Sequence, residues 1–277
     1  MKYVDFADKE RVPALGMGTW EMGDHRAARQ EEITCLQHGI DLGMSLIDTA
    51  EMYGDGAAEK LVGEAIAGRR DKVFLVSKVY PQNATRKGTI AACERSLARL
   101  GTDRLDLYLL HWRSTVPFSE TIEAFERLKR DGKIRHWGVS NLDTGEMDEL
   151  HATPGGHAVA TNQVLYNLSR RGVEWSLLPW CVKHRITLMA YSPIEQARLL
   201  RDRRLIALAA EVGKTPAQIA LAWLLSRNAV IAIPKAASRV HLDENFGALE
   251  CALDRETLAR LDEIFPPPQS QKPLEMI

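Results

Sequence analysis

Four ionisable side chains stand where they could share one proton-transfer task. Three of them close successive apolar runs: Ser45-Leu46-Ile47 ends in Asp48, Val73–Ser77 ends in Lys78, and Leu107–Leu110 ends in His111. Tyr53 lies just beyond the first run. A lysine held charged by a carboxylate favours a neighbouring tyrosinate, so Lys78 beside Asp48 should lower the Tyr53 pKa from its reference of about 10. A phenol acidified in this way can donate to an oxygen that is gaining negative charge. His111 at its side could orient a carbonyl and share the developing charge. Singly, each residue has an ordinary explanation: a helix cap for Asp48, a half-buried ring for Tyr53, a surface strand end for Lys78, a hydrogen-bonded core histidine for His111. Ordinary loop polarity does not explain an Asp, a Lys and a His on three consecutive runs.

The same pattern continues along the chain. Trp137–Val139 is followed by Ser140-Asn141, Val159–Thr161 by Asn162-Gln163, Leu188–Ala190 by Tyr191-Ser192, and Val230–Ile233 by Pro234-Lys235. Bringing these ends together requires strands that share one direction. The strand candidates are Ala14–Gly18, Ser45–Ile47, Val73–Ser77, Leu105–Leu110, Ile134–Val139, Val159–Thr161, Thr187–Ala190 and Ala229–Ile233. Helix-period segments separate them. In Thr85–Leu100 the apolar residues Ile90, Cys93, Leu97 and Leu100 recur at helical spacing. Thr215-Pro216-Ala217-Gln218 reads as a cap, a first-turn proline and a capping-box Gln opening Ala217–Ser226, an extra helix before the last strand. Gly101, Gly132 and Gly213 sit at expected helix ends, and Pro266-Pro267-Pro268 makes a non-helical tail.

Eight strands alternating with helices predict an α/β fold, a single (β/α)8 barrel domain over residues 1–277. In such a barrel the strand ends named above converge on the C-terminal mouth, where active sites of this architecture lie. An open dinucleotide-binding sheet is disfavoured because Gly16-Met17-Gly18 is followed by Glu21 where a third glycine belongs.

Composition narrows the partners. Lys plus Arg total 36 against 37 Asp plus Glu, for a net charge of −1, so no field favours nucleic acid or an anionic membrane. Apolar residues at 45% and charged residues at 26% exclude a disordered or collagen-like chain. Acids at Asp5, Asp8 and Glu10 argue against a signal peptide, and Ile219–Leu225 falls far short of the roughly 18 residues of a span. The four scattered cysteines, Cys35, Cys93, Cys181 and Cys251, read as reduced thiols of a cytoplasmic protein. Cys181 and His184 have a metal-like spacing but no second pair, so no metal is expected. A soluble monomer acting on a small molecule is the expectation.

The ordered motifs resemble the aldo-keto reductases. They are Gly16-x-Gly18-Thr19-Trp20, the run from Leu46 through Asp48 and Tyr53 to Gly54, Lys78, Asp106-Leu107-Tyr108-Leu109-Leu110-His111-Trp112, Gly138-Val139-Ser140-Asn141, Asn162-Gln163, Tyr191-Ser192-Pro193 and Ile233-Pro234-Lys235. The resemblance runs from about Val12 to Ile264, and the family's Asp-Tyr-Lys-His set falls on Asp48, Tyr53, Lys78 and His111. The stretches Leu61–Lys78 and Trp137–Ser192 look closest to bacterial members that reduce methylglyoxal and similar small dicarbonyls.

That resemblance implies NADPH-dependent reduction of aldehydes or ketones, with hydride from the nicotinamide and a proton from Tyr53. It assigns Ser140, Asn141 and Gln163 to the nicotinamide amide and Tyr191 to stacking on the ring. Gly18, Thr19, Trp20 and Asp48 would border the cofactor; Ser192, Pro193, Ile194, Ile233 and Pro234 would line its pyrophosphate, and Lys235, Ala236, Ser238, His241, Glu244 and Asn245 its adenosine end. Trp20, Tyr53, His111 and Trp112 would form the substrate pocket. The chain departs from the family at Ala236 and His241, where NADPH-specific members carry Ser or Thr and Arg, so NADH should also be accepted. Two alternatives stay open: a Schiff-base lyase using Lys78, and a non-catalytic barrel that binds NADPH as a redox-sensing regulatory subunit.

Overall fold

Two short antiparallel strands, β1 (Tyr3–Asp5) and β2 (Arg11–Pro13), precede the main sheet in the computed structural model, which describes residues 1–6 and 9–277. Asp8, one of the N-terminal acids, lies outside the described residues. Eight parallel strands follow in chain order: β3 (Met17–Gly18), β4 (Leu46–Asp48), β5 (Phe74–Val79), β6 (Leu105–Leu110), β7 (Ile134–Ser140), β8 (Thr161–Leu165), β9 (Thr187–Tyr191) and β10 (Val230–Ala232). The two edge strands meet: Gly16 N donates to Ala232 O at 2.9 Å, Gly18 N to Pro234 O at 3.0 Å, and Ala232 N to Ala14 O at 2.8 Å. Those bonds close the (β/α)8 barrel. The approach at Gly18 is close enough that a Cβ there would lie 2.9 Å from Ile233 O.

Helices cover the outside. They are α1 (Arg29–Leu42), α2 (Ala57–Ile66), α3 (Arg86–Leu100), α4 (Phe118–Arg130), α5 (Thr144–Ala152), α6 (Leu177–His184), α7 (Arg203–Val212), α8 (Pro216–Leu225), α9 (Arg239–Phe246) and α10 (Arg255–Ile264). The expected helix signals work as read. Thr85 caps α3 by accepting from Gly88 N at 3.1 Å, and Gly101 ends that helix in the left-handed region at φ 62°. Thr215 and Gln218 form a reciprocal capping box at 3.1 and 3.2 Å, opening α8 as the second helix between β9 and β10.

Strand boundaries differ from the expectation at β8. The sequence predicts the strand over Val159–Thr161, but it runs from Thr161 to Leu165, so Thr161 opens it. Asn162 and Gln163 look like loop residues, yet they lie inside β8 because their amides are satisfied within the barrel. The same holds for Lys78 in β5 and Ser140 in β7. At the first strand the expected Ala14–Gly18 shrinks to Met17–Gly18, with Leu15 paired singly to Ala232. Strands β4, β5, β6 and β8 are buried throughout, which accounts for the mostly apolar make-up of β4, β5 and β6, while β8 buries polar Thr161, Asn162 and Gln163. All four cysteines are buried and unpaired. Among the described residues no single helix is long and apolar enough to cross a membrane.

Candidate active site

Parallel register places the key side chains on one face. Asp48 pairs with Val76, so Lys78, two residues further along β5, points the same way into the barrel. Lys78 is fully buried, and its ammonium donates to Asp48 Oδ2 at 2.8 Å, to Thr49 O at 2.9 Å and to the Tyr53 hydroxyl at 3.1 Å. All three of its protons are thereby used. The other Asp48 oxygen accepts from Gln163 Nε2 at 2.7 Å, and Thr19 Oγ1 donates to the Asp48 carbonyl at 2.9 Å. Asp48 is thus held from β5 beside it, from β8 across the barrel and by Thr19 just after β3.

Electrostatics follow from this packing. Burial disfavours the Lys78 ammonium, but Asp48 and Tyr53 outweigh it and the pKa rises above its ordinary value. Tyr53 corrects the sequence expectation. Its pKa is raised, because burial of the phenolate outweighs the lowering pull of Lys78, and Asp48 adds to the rise. A phenol in that setting stays protonated and carries a hydrogen to give. His111, buried just past β6, is pushed down to about 2 by burial and by the Lys78 charge, so its ring is neutral. Its Nδ1 is buried with no hydrogen-bond partner among the described residues.

Aromatic rings wall the space above. Tyr53 meets His111 edge-on with centroids 5.9 Å apart, and His111 lies 4.9 Å from Trp112. Trp20 stands exposed at the rim. Tyr80, which the sequence reading passed over, packs edge-on against Trp112 at 5.9 Å and near His111 at 6.4 Å. An aromatic two residues after the lysine, at the end of β5, was the available signal.

Around the mouth, the next strand ends bring their polar groups into one row. Ser140 Oγ donates to Gln163 O at 2.7 Å. Asn141, at φ 57°, donates to the His111 carbonyl at 3.2 Å and accepts from the Tyr191 hydroxyl at 3.1 Å. The Gln163 amide is committed to Asp48 and Met189, so in this state it props the carboxylate. Ser192 (φ 46°) opens a turn through Pro193 and Ile194 in which Glu195, Gln196 and Ala197 also have positive φ. Further round, Ile233, Pro234 and Ala236 are buried, whereas Lys235 is exposed 3.9 Å from Glu21. Ser238 caps α9 by accepting from His241 N at 3.4 Å, with His241 exposed, Glu244 half-buried and Asn245 buried. Arg239, absent from the sequence candidates, stands exposed at the start of the same turn.

This row suits an elongated anionic ligand: amide and hydroxyl groups beside the tyrosine, an aromatic face at Tyr191, then a lysine and a capped helix start at the far end. Residues 14–265 match the model of the aldo/keto reductase family. The chain belongs to that family. As an aldo/keto reductase it is 51% identical, over all of this chain and 99% of the relative, to methylglyoxal reductase YeaE of Escherichia coli. It is 31% identical to methylglyoxal reductase DkgB of E. coli O157:H7, over 91% of this chain and 93% of the relative. A crystal structure of an aldo/keto reductase from Klebsiella pneumoniae in complex with NADP and acetate superposes with a TM-score of 0.97 at 52% identity, covering 100% and 99% of the two chains.

Within this aldo/keto reductase a further polar group escaped the sequence reading. Asn167 and Arg170 converge on buried Glu195, and Arg170 also holds Glu275 of the C-terminal tail. No local motif announces such a network; only the fold brings residues this far apart together.

Proposed function

We propose that this enzyme reduces small aldehydes and ketones, with methylglyoxal-like dicarbonyls favoured, using NADPH and the Tyr53 proton. The observation that carries the reading is the single buried ammonium of Lys78 donating at once to Asp48, Thr49 O and Tyr53. NADPH, when bound, supplies the hydride. Tyr53 is protonated and delivers its hydrogen to the carbonyl oxygen as charge builds there. Lys78 then stabilises the phenolate left behind, since its donor is already in place and needs no reorganisation. Neutral His111 offers an N–H to the same oxygen without competing as a charge. Trp20, Trp112 and Tyr80 shape a compact apolar wall that favours a short substrate.

The names of the relatives support the substrate class, and the Klebsiella structures support the cofactor. Ser140 and Asn141 would meet the nicotinamide amide, helped by Gln163 once its bond to Asp48 opens; Tyr191 would stack on the ring. Residues 192–194 with Ile233 and Pro234 would take the pyrophosphate, and Lys235, Ser238, Arg239 and His241 the 2′-phosphate end. All of these groups come from one chain, so a monomer suffices. Lys78 is a poor Schiff-base candidate, because its environment holds it charged.

The test is cofactor consumption with a panel of aldehydes that includes methylglyoxal, NADPH and NADH side by side. Steady loss of reduced-nicotinamide absorbance is expected. Binding of NADPH with no turnover on any carbonyl would replace this reading with the regulatory one, and borohydride trapping of substrate on Lys78 with the lyase.

A further inference from the structure

The C-terminal tail and the turn after β9 meet on one side chain. Arg170 Nε and Nη2 donate to Glu195 Oε1 at 3.0 and 2.9 Å, and its Nη1 donates to Glu275 Oε1 at 2.6 Å. Glu195 is buried at 4% exposure, inside the turn where Ser192, Glu195, Gln196 and Ala197 all take φ between 46° and 65°. Non-glycine backbone of that kind persists only where its surroundings over-determine it. Here they do: Asn167 Nδ2 donates both to Ser192 O at 2.9 Å and to Glu195 Oε2 at 2.8 Å. Arg170 completes the clamp from the other side.

The tail itself is seated rather than adrift. Residues 271–275 form one wall of a groove of about 480 Å³, opposite Leu165, Val173 and Leu177. Leu274 packs on the hydrophobic core, and the backbone N–H of Ile277 approaches the Tyr191 hydroxyl. So the tail reaches the turn through Arg170 at Glu195, and its last residue lies near Tyr191, where β9 ends and the turn begins. Charge gives this a direction. If the turn receives a pyrophosphate, an uncompensated Glu195 there would repel it; Arg170 donates to it twice, with Arg198 further off at 3.8 Å, so the carboxylate is neutralised beforehand. Glu275 holds the remaining edge of the guanidinium fork and so fixes its plane.

We propose that Arg170 is a positioning residue that couples the C-terminal tail to the dinucleotide turn, so that tail seating and dinucleotide binding reinforce each other. The proposal rests on the cofactor reading above. Coupling of this kind is reciprocal: whatever the tail does for the dinucleotide, the dinucleotide does for the tail. It should also be blind to the 2′-phosphate, since NADPH and NADH share the pyrophosphate.

Amide hydrogen exchange of residues 271–277, with and without NADPH, tests it together with equilibrium binding of NADPH and NADH to wild type, Glu275→Gln, Arg170→Met and the double variant. NADPH should slow exchange in the wild-type tail, and both single variants should lose that protection. Arg170→Met should weaken both dinucleotides about 10- to 100-fold, the worth of a charged hydrogen bond converted to affinity. Glu275→Gln should weaken them about 3-fold, as for a partly exposed pair. The double variant should be no weaker than Arg170→Met. NADPH binding that leaves wild-type tail exchange unchanged, or additive penalties in the double variant, would overturn the coupling alone. A wild-type chain that binds no dinucleotide would overturn the cofactor reading and the coupling with it. Should Arg170→Met not fold, Glu275→Gln decides through the same two measurements.

Discussion

Strand β6 carries Asp106, its second residue, on the floor of the barrel and leads to His111 at the mouth, and the two ends handle buried polarity in opposite ways. Asp106 is saturated: it accepts from Leu75 N at 2.8 Å, from Arg70 at 2.7 Å and from Arg135 at 3.1 Å. Arg70 in turn donates to Thr102, Val73 O and Arg104 O. Every member has its partners, and Phe6 closes over the layer against Phe74 and His136. At the mouth, His111 is neutral with an orphaned Nδ1, and Tyr53 shares a lysine that also serves the acid. A saturated network can only hold shape. One with spare donors can meet a change of charge in a bound molecule, which is what a reaction brings.

If that division is right, the largest effect belongs to Tyr53→Phe. Carbonyl reduction should fall about 100- to 10,000-fold, the usual worth of a general acid, while melting temperature and cofactor affinity barely move. Steady-state turnover and thermal unfolding on the same preparation measure both. Near-normal turnover would place the proton donor elsewhere.

The floor should show the reverse. Asp106→Asn removes the charge that two arginines face and should cost about 3 kcal/mol of stability, as for a broken buried pair. Urea unfolding reads that loss. The turnover number per folded molecule, measured below the unfolding transition, should stay at the wild-type value; a matched fall in turnover would erase the distinction between the two ends.

A smaller effect separates them by pH. His111 has a folded pKa of about 2, below the value of about 6.5 expected when unfolded. Between those values the unfolded chain binds a proton that the folded chain refuses. Its contribution to stability is therefore complete above pH 6.5 and is lost as pH falls. Going from pH 6.5 to 5 should cost about 2 kcal/mol through this residue. His111→Gln should flatten the urea-derived slope over that interval by the same amount. An unchanged slope would mean that the ring takes up its proton in the folded state.

How much of this was readable from residues alone depends on where each partner lies. The barrel, its eight strands and the caps at Thr85 and Thr215 rest on local periodicity and short-range bonds, which sequence displays directly. Asp48, Tyr53, Lys78 and His111 were legible because a strand end in a barrel is a known position in space. Polar residues inside strands were not: Asn162 and Gln163 read as loop until Leu142 O and Asp48 are seen to receive their amides. The sign of the Tyr53 shift was missed for a related reason, since burial is a property of the assembled walls and not of the Lys78 neighbour. The tail contacts at Arg170 depend on a partner 105 residues away in sequence, Glu275. Sequence offers no local trace of those.

The smallest expected effect lies at the far end of the row proposed for the dinucleotide, where charge is neither saturated nor buried. Ser238 caps α9, and its hydroxyl, having accepted from His241 N, keeps its own hydrogen to donate. Lys235, Arg239 and His241 are exposed around that helix start. Exposed charges contribute little each, on the order of 1 kcal/mol or less, and three cations share the work if His241 becomes one. An imidazole offers a single donor, whereas a guanidinium brings a permanent charge and a two-pronged fork suited to phosphate. His241→Arg should therefore tighten NADPH about 3- to 10-fold and leave NADH nearly unchanged. Arg239 already supplies a guanidinium on the same turn, which is why the gain stays below the larger step that His241 alone would imply. Titration of both dinucleotides against the two proteins gives the ratio. Equal tightening of NADPH and NADH would show that residue 241 acts on the helix rather than on the 2′-phosphate, and no tightening of either would leave Arg239 and Lys235 as the phosphate's holders.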